Sequence, residues 1–391
     1  MRKKGSARVG RRARLARLPL LLVLVALPSL ALLGACRGTV SIPNETLARD
    51  DRFAWTPRNH VRAFYSGHSL SEGVPEAVAR TAAARGQTLE FEFQNIGYSL
   101  LRERTKGQNR SGQVWDGYRA GNNRTGSGLD VAQELERPSR LEPGQRYDAL
   151  VVTERHDLPW AAAREGTATY LADMARHAWQ GNPQADVFFY HTWLALDRNA
   201  PVPWITYERH AQRLWECVAS RANLDLAPPL PRIRVLPGGT ALADLVELLW
   251  QDKVPGLSAM TRSARVGLLF ADDVHLSAVG KHYMGLVHYA FLFGQTPTGG
   301  PLVPPLTSET TSFLENFAGQ TATTYARTAN AAAQRDMEAC RVFAASEMSG
   351  ANSALPARGW RDWLERPYRN WVSRRVYSDP NAPDNPFRRR Q

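Results

Sequence analysis

Apolar positions along this chain fall into two patterns that take turns. Short β-favouring runs stand at 61–65, 89–93, 149–152, 187–193 and 233–236. Each is too short for a stable helix and is rich in Val, Ile, Leu or aromatic residues, so it reads as a strand. Longer stretches near 75–85, 166–179, 207–222, 242–251 and 278–293 read as helices. Strands that alternate with helices predict an α/β fold, a three-layer α/β/α sandwich around a mainly parallel five-stranded sheet. In such a sheet a ligand site forms beyond the carboxyl ends of the strands.

Outside this region the pattern changes. Residues 2–17 carry eight Lys or Arg and no acid, and an apolar run follows at 18–35 that ends Leu33-Gly34-Ala35-Cys36. A basic stretch, an apolar stretch and a small-residue end make a targeting segment. The last four residues resemble the lipobox of bacterial lipoproteins, in which cleavage before Cys36 leaves a lipid-modified cysteine. An uncleaved single-span anchor is the alternative, and Arg11-Arg12 hints at a twin-arginine signal. The expected organisation is a signal peptide at 1–35, a linker at 36–56, a domain at 57–298 and a helical extension at 299–391. Prolines at 301, 304 and 305 mark the last boundary. Residues 308–346 read as one or two helices. The basic end carries Trp360, Trp363 and Trp371, which could meet an anionic surface or a glycan. The expectation is that they pack on their own domain. The polar connection at 106–128 could form a wall of the ligand site, with disorder as the alternative.

Charge and cysteines narrow the partners. The formal charge is +12, and removing the leader leaves about +4, nearly all of it in the arginines from Arg358 onward. The domain between is close to neutral, which argues against nucleic acid as partner. With Cys36 lipidated, Cys217 and Cys340 remain as an even pair in an exported protein. A bridge between them would staple the extension to the domain; two buried free thiols are the alternative. His60, His68, His156 and His191 lack a metal-ligand spacing, and no phosphate or dinucleotide fingerprint is present. No cofactor or metal is expected. The sequence is silent on oligomeric state.

Two loops carry candidate chemistry. Gly67-His68-Ser69-Leu70 follows the first strand, and Asp272-Asp273-Val274-His275-Leu276-Ser277 precedes the last domain helix. A carboxylate three residues before a histidine can hold one ring nitrogen and leave the other to take a serine proton. In this order the loops resemble those of the SGNH (GDSL-type) hydrolase family, with His68 where the family usually has Asp. The likeness spans roughly residues 60–295. It implies a flavodoxin-like sheet, Ser69 as nucleophile, His275 as general base and Asp272 as its orienter.

The same resemblance makes Asn95-Ile96-Gly97-Tyr98-Ser99 the glycine block, whose Gly97 amide would join that of Ser69 in an oxyanion hole. The family's asparagine block departs: Thr153-Glu154-Arg155-His156-Asp157 puts His156 at the asparagine position. An imidazole N–H can donate as an amide can, and Arg155 is a rival donor or substrate contact. Trp193, at the end of the fourth run, could wall the site or lie in the core. The resemblance implies hydrolysis of small, acetyl-like esters, and the leader implies a lipid-anchored envelope location with an acylated carbohydrate as substrate. A polysaccharide O-acyltransferase using the same triad, and a non-catalytic glycan-binding or assembly lipoprotein on the same fold, are the alternatives.

Overall fold

A strand in the middle of a parallel sheet is buried on both faces, so it needs apolar side chains on both. In the computed structural model, which describes residues 56–126, 128–226, 232–331 and 335–388, the five runs form β1 (His60–Gly67), β2 (Thr88–Asn95), β3 (Ala149–Thr153), β4 (Asp186–Tyr190) and β5 (Arg234–Leu236). They pair in the order β2-β1-β3-β4-β5, every pair parallel. This is the flavodoxin-like order, whose direction of winding reverses between β1 and β3. The expected leader, Cys36 and linker residues 36–55 lie outside the described residues.

The helices are α1 (Val74–Ala84), α2 (Leu101–Thr105), α3 (Val131–Glu136), α4 (Leu158–Arg164), α5 (Thr167–Gly181), α6 (Val202–Leu224), α7 (Gly238–Trp250), α8 (Arg262–Gly267), α9 (Ala278–Phe293), α10 (Ser308–Ala331), α11 (Met337–Phe343), α12 (Ser349–Ser353) and α13 (Trp360–Ser378). Successive strand residues point to opposite faces, so the runs feed two cores at once. Val61, Ala63 and Tyr65, with Val151 and Tyr190, face the core covered by α1, α7, α9 and α10. Phe64, Leu150, Val152, Val187 and Phe189 face the core covered by α3, α4, α5 and α6. The predicted three-layer sandwich is therefore the fold.

α9 shows how local signals fix an element beside the site. Ser277 caps its first turn by accepting from the Gly280 amide at 3.1 Å, and Gly294 closes it in the left-handed conformation (φ 63°). Gly285 lets α9 press on α1, because a Cβ there would lie 2.6 Å from that of Ala77. His275 sits two residues before the cap, so the helix determines where its loop starts.

Two segments depart from the sequence reading. Residues 106–126 do not line the cleft described below. They pack on the edge strand instead, where Asn95 and Asn122 exchange backbone hydrogen bonds of 2.9 and 3.0 Å and cover an otherwise open edge. The fourth run ends as a strand at Tyr190 rather than Trp193. The chain turns there, with the Leu194 amide donating to Glu208 at 2.7 Å.

The extension is part of the same packing. Cys217 in α6 and Cys340 in α11 are disulfide-bonded, with Cα atoms 5.7 Å apart, so the expected staple is present and the free-thiol alternative is not. Leu314, Ala318 and Ala322 of α10 enter the first core. Tyr377 of α13 donates its hydroxyl to the Pro159 carbonyl at 2.8 Å.

Candidate active site

β1 ends at Gly67, and the chain must turn at once to enter α1. Gly67 is obligatory, since a Cβ would meet Ser71 Oγ at 2.0 Å and Thr153 at 3.2 Å. Ser71 returns its amide and hydroxyl to the His68 carbonyl at 2.9 and 2.7 Å, which leaves Ser69 at the crest of the turn, partly exposed. His68 is buried and turned inward: its Nδ1 accepts from the Leu70 amide at 3.4 Å, and its Nε2 donates to the Glu154 carbonyl at 3.1 Å. Burial drives its pKa well below the ordinary histidine range, with Arg104 and His156 adding to the effect. It is a neutral bridge between the serine turn and the loop after β3.

The histidine loop arrives from the far end of the sequence. His275 Nε2 lies 3.0 Å from Ser69 Oγ, and its Nδ1 lies 2.7 Å from Asp272 Oδ2. The other carboxylate oxygen accepts the amides of Val274 and His275 at 2.8 and 2.7 Å. Partial burial raises the Asp272 pKa, but the His275 ring and these two amides outweigh it and bring it down to about 2. An ionised carboxylate only accepts, so Nδ1 carries the proton and Nε2 offers a lone pair to the serine hydroxyl. Three contacts hold the loop from outside. The Trp193 indole donates to the Val274 carbonyl at 2.8 Å, the Leu196 amide to Asp273 at 2.7 Å, and Arg198 to the Asp272 carbonyl at 2.6 Å. Trp193 is completely buried. It supports the histidine loop from the core and does not wall the site.

After β2, Gly97 is exposed, and its amide has no hydrogen-bond partner among the described residues. Tyr98 next to it holds φ at 61°, a conformation rarely adopted outside glycine, asparagine and aspartate. Its ring lies under the Arg155 guanidinium at 4.9 Å and edge-on to His156 at 6.1 Å. Arg155 is also bound by Asp157 at 2.7 and 3.0 Å. Its charge is committed to Asp157 and Tyr98 rather than presented to a substrate. The signal was local, because its partner stands two residues on. His156 lines the cleft, and its Nδ1 is buried with no partner among the described residues. Burial lowers its pKa, and Arg155, Arg369 and His275 lower it further against Asp157. His156 is therefore a neutral ring with an N–H to give.

A buried network that sequence reading missed ties these loops together. Arg104 is wholly buried in α2. It donates to Ser66 Oγ at 3.2 Å, to the Ser99 carbonyl and hydroxyl at 3.1 and 2.7 Å, and to the Thr153 carbonyl. It thus joins the ends of β1 and β3 to the glycine block. Glu154 and Glu103 offset its charge through space without a direct ion pair. Glu154, also wholly buried, accepts the Leu101 and Arg155 amides at 2.9 and 2.8 Å and the Thr167 hydroxyl at 2.7 Å. The only trace in sequence is an acid that directly follows a fully buried strand ending Val151-Val152-Thr153.

A cleft of about 490 Å³ opens next to the histidine loop, between Tyr98, His156, Leu194, Trp204 and Asp273 on one side and the extension on the other; Ser69, Asp272 and His275 do not themselves line it. Arg369 of α13 reaches Asp157 at 3.0 Å, and Arg358 reaches Asp273 at 2.6 Å. The extension is a wall of the cleft, a place for which residues 106–128 were one candidate. No cluster of three or more His, Cys, Asp or Glu arranged to hold a metal occurs among the described residues.

No protein-family model matches the chain, and no curated protein matches it. Among solved structures it is similar to the crystal structure of a DUF4886 family protein from Bacteroides uniformis, at 14% identity and a TM-score of 0.44. The match covers 68% of this chain and 95% of that one, a likeness too distant to carry an argument about chemistry.

Proposed function

We propose that this chain is a serine esterase of the SGNH type that removes small acyl groups, such as acetyl, from an envelope or extracellular carbohydrate. The observation that carries this reading is the continuous relay from Ser69 Oγ through His275 to Asp272, at 3.0 and 2.7 Å, at the open end of the sheet. Ser69 Oγ attacks the ester carbonyl carbon while His275 Nε2 takes its proton. The amides of Ser69 and Gly97 and the His156 N–H receive the oxyanion. The carbonyl re-forms, the C–O bond to the alcohol breaks, and His275 returns the proton to the departing oxygen. Water then attacks the acyl-enzyme with His275 again as base, giving the carboxylic acid and free Ser69. The acyl group and the carbohydrate follow from the family resemblance and the leader; a lipid anchor at Cys36 would place the domain in the cell envelope.

The test uses purified protein with a fluorophosphonate probe and an aryl acetate. The reading expects Ser69 to be labelled and acetate release to fall roughly 10⁴-fold or more in Ser69→Ala. Hydrolysis that survives in Ser69→Ala, or a probe that leaves Ser69 unmodified, overturns it. Product partition with and without an added acceptor glycan separates hydrolysis from acyl transfer.

A further inference from the structure

We propose that the outer face of α13 is a docking surface for an anionic lipid bilayer. At the helical pitch of 3.6 residues per turn, Trp360, Trp363, Leu364, Tyr368 and Trp371 fall on one arc of the helix. All five are exposed, from 54% for Leu364 to 70% for Trp360. The expectation that these aromatics pack on their own domain is thus corrected. The opposite arc does the packing: Ser373, Val376 and Tyr377 are buried, and Arg366 and Arg369 bind Asp362, Glu365 and Asp157. A monomer gains nothing by displaying three tryptophans in a row, and a contiguous apolar patch of this kind marks an interaction site.

Charge decides the occupant. The exposed arc also carries Arg374 and Arg375, with Arg361 at its border with the cleft; none of the three has a carboxylate partner among the described residues. Arg361 lies over the Trp360 ring at 5.4 Å and Arg375 over Trp371 at 5.8 Å. Stacked guanidinium groups cover ring faces that a sugar would need, which weighs against a glycan platform. Tryptophan and tyrosine beside free arginines and a leucine match the boundary between acyl chains and phosphate headgroups. Each unneutralised arginine favours an anionic over a neutral surface roughly fivefold, and three together roughly a hundredfold at low salt. No helix among the described residues is long and apolar enough to cross a membrane, so α13 would lie on the surface. Docking does not depend on the chemistry of Ser69. Because the inner edge of α13 lines the cleft, docking would fix the cleft's orientation to the membrane.

The experiment is tryptophan quenching of the full chain, reconstituted in vesicles whose phosphatidylglycerol or phosphatidylcholine carries bromine near the top of the acyl chains. The proposal expects phosphatidylglycerol vesicles to quench up to roughly a quarter of the emission, three of the eleven tryptophans being on the arc. Trp360→Phe/Trp363→Phe/Trp371→Phe should remove that component, even though the other eight tryptophans remain. Arg361→Glu/Arg374→Glu/Arg375→Glu should reduce it at least twofold. Equal quenching in wild type and the tryptophan variant overturns the proposal. So does an emission change on adding a soluble polysaccharide with none on vesicles, which would assign the face to glycan.

Discussion

Replacing Arg104 with methionine tests whether the site loops are held by the buried network beneath them. Methionine fills much the same volume but removes the donors to Ser66, Ser99 and Thr153 and leaves Glu154 without its counter-charge. Removing one member of a buried charge pair costs about 3–5 kcal/mol, mostly from the charge left behind. Glu154→Gln keeps an oxygen for the Leu101 and Arg155 amides, but it leaves the buried Arg104 guanidinium with Glu103 as its remaining counter-charge, so it too should destabilise. The double variant should therefore lose less than the sum of the singles, with a coupling of about 2–3 kcal/mol. Burial already raises the Glu154 pKa against the pull of Arg104. Without Arg104 it rises further, so the penalty is full where the carboxylate must ionise and is relieved as pH falls. Arg104→Met should be less destabilised at pH 5.5 than at pH 8 when each is compared with wild type. Urea unfolding followed at both pH values, with the slope checked for constancy, measures all of this. A loss below about 1 kcal/mol at pH 8, or an equal loss in the Glu154→Gln background, would refute the network's role.

Three further outcomes follow from the same coordinates. Trp193→Phe keeps the core filled but drops the bond to the Val274 carbonyl; aryl acetate turnover should fall roughly fivefold in kcat with KM little changed, one hydrogen bond being worth about 1 kcal/mol. A comparable rise in KM would point to a direct substrate contact instead. Reducing the Cys217–Cys340 bridge, which closes 123 residues, should lower stability by about 5 kcal/mol on the chain-entropy view, read from urea curves with and without reductant. Two titratable thiols in the denatured, unreduced protein would contradict it. His288 stacks on Tyr65 and meets Tyr190 edge-on, and burial pushes its pKa down to about 3. The unfolded chain binds its proton below about 6.5 and the folded chain does not, so this stability is whole above pH 6.5 and lost as pH falls toward 3. His288→Phe should flatten the fall in stability between pH 6 and 4 by about 1.4 kcal/mol per pH unit, and an unchanged acid profile would rule the histidine out.

The fold was legible because its signals are local. Five apolar runs, a serine cap and a glycine stop each report on a few neighbouring residues, and the order of strands and helices then restricts the sheet to a handful of topologies. The contact of Ser69, His275 and Asp272 was legible for a related reason. Asp272 and His275 are three residues apart, so their pairing needs one turn of chain, and Ser69 lies beyond a strand whose carboxyl end faces the same edge. Of the two places open to Trp193, site wall or core, the core holds, because the chain leaves the sheet after Tyr190 and the indole turns inward. Arg155 was read as free because a lone arginine in a loop carries no mark of its partner unless Asp157 is weighed with it.

What escaped the sequence was carried by charges that meet across long separations. Arg104 and Glu154 are fifty residues apart in sequence, Arg369 and Asp157 more than two hundred, and forty-nine Lys and Arg offer too many possible partners for spacing to choose among them. Apolar periodicity could not choose either, since α13 is amphipathic with its aromatics on the wrong side for a core. Read alone, that stripe predicts burial against the domain. Only the packing of Ser373, Val376 and Tyr377 shows that the opposite arc is the buried one. The extension thereby acquires two faces with separate tasks. Arginines on the inner edge close the cleft against Asp157 and Asp273, and tryptophans on the outer arc are left to find a partner outside the chain.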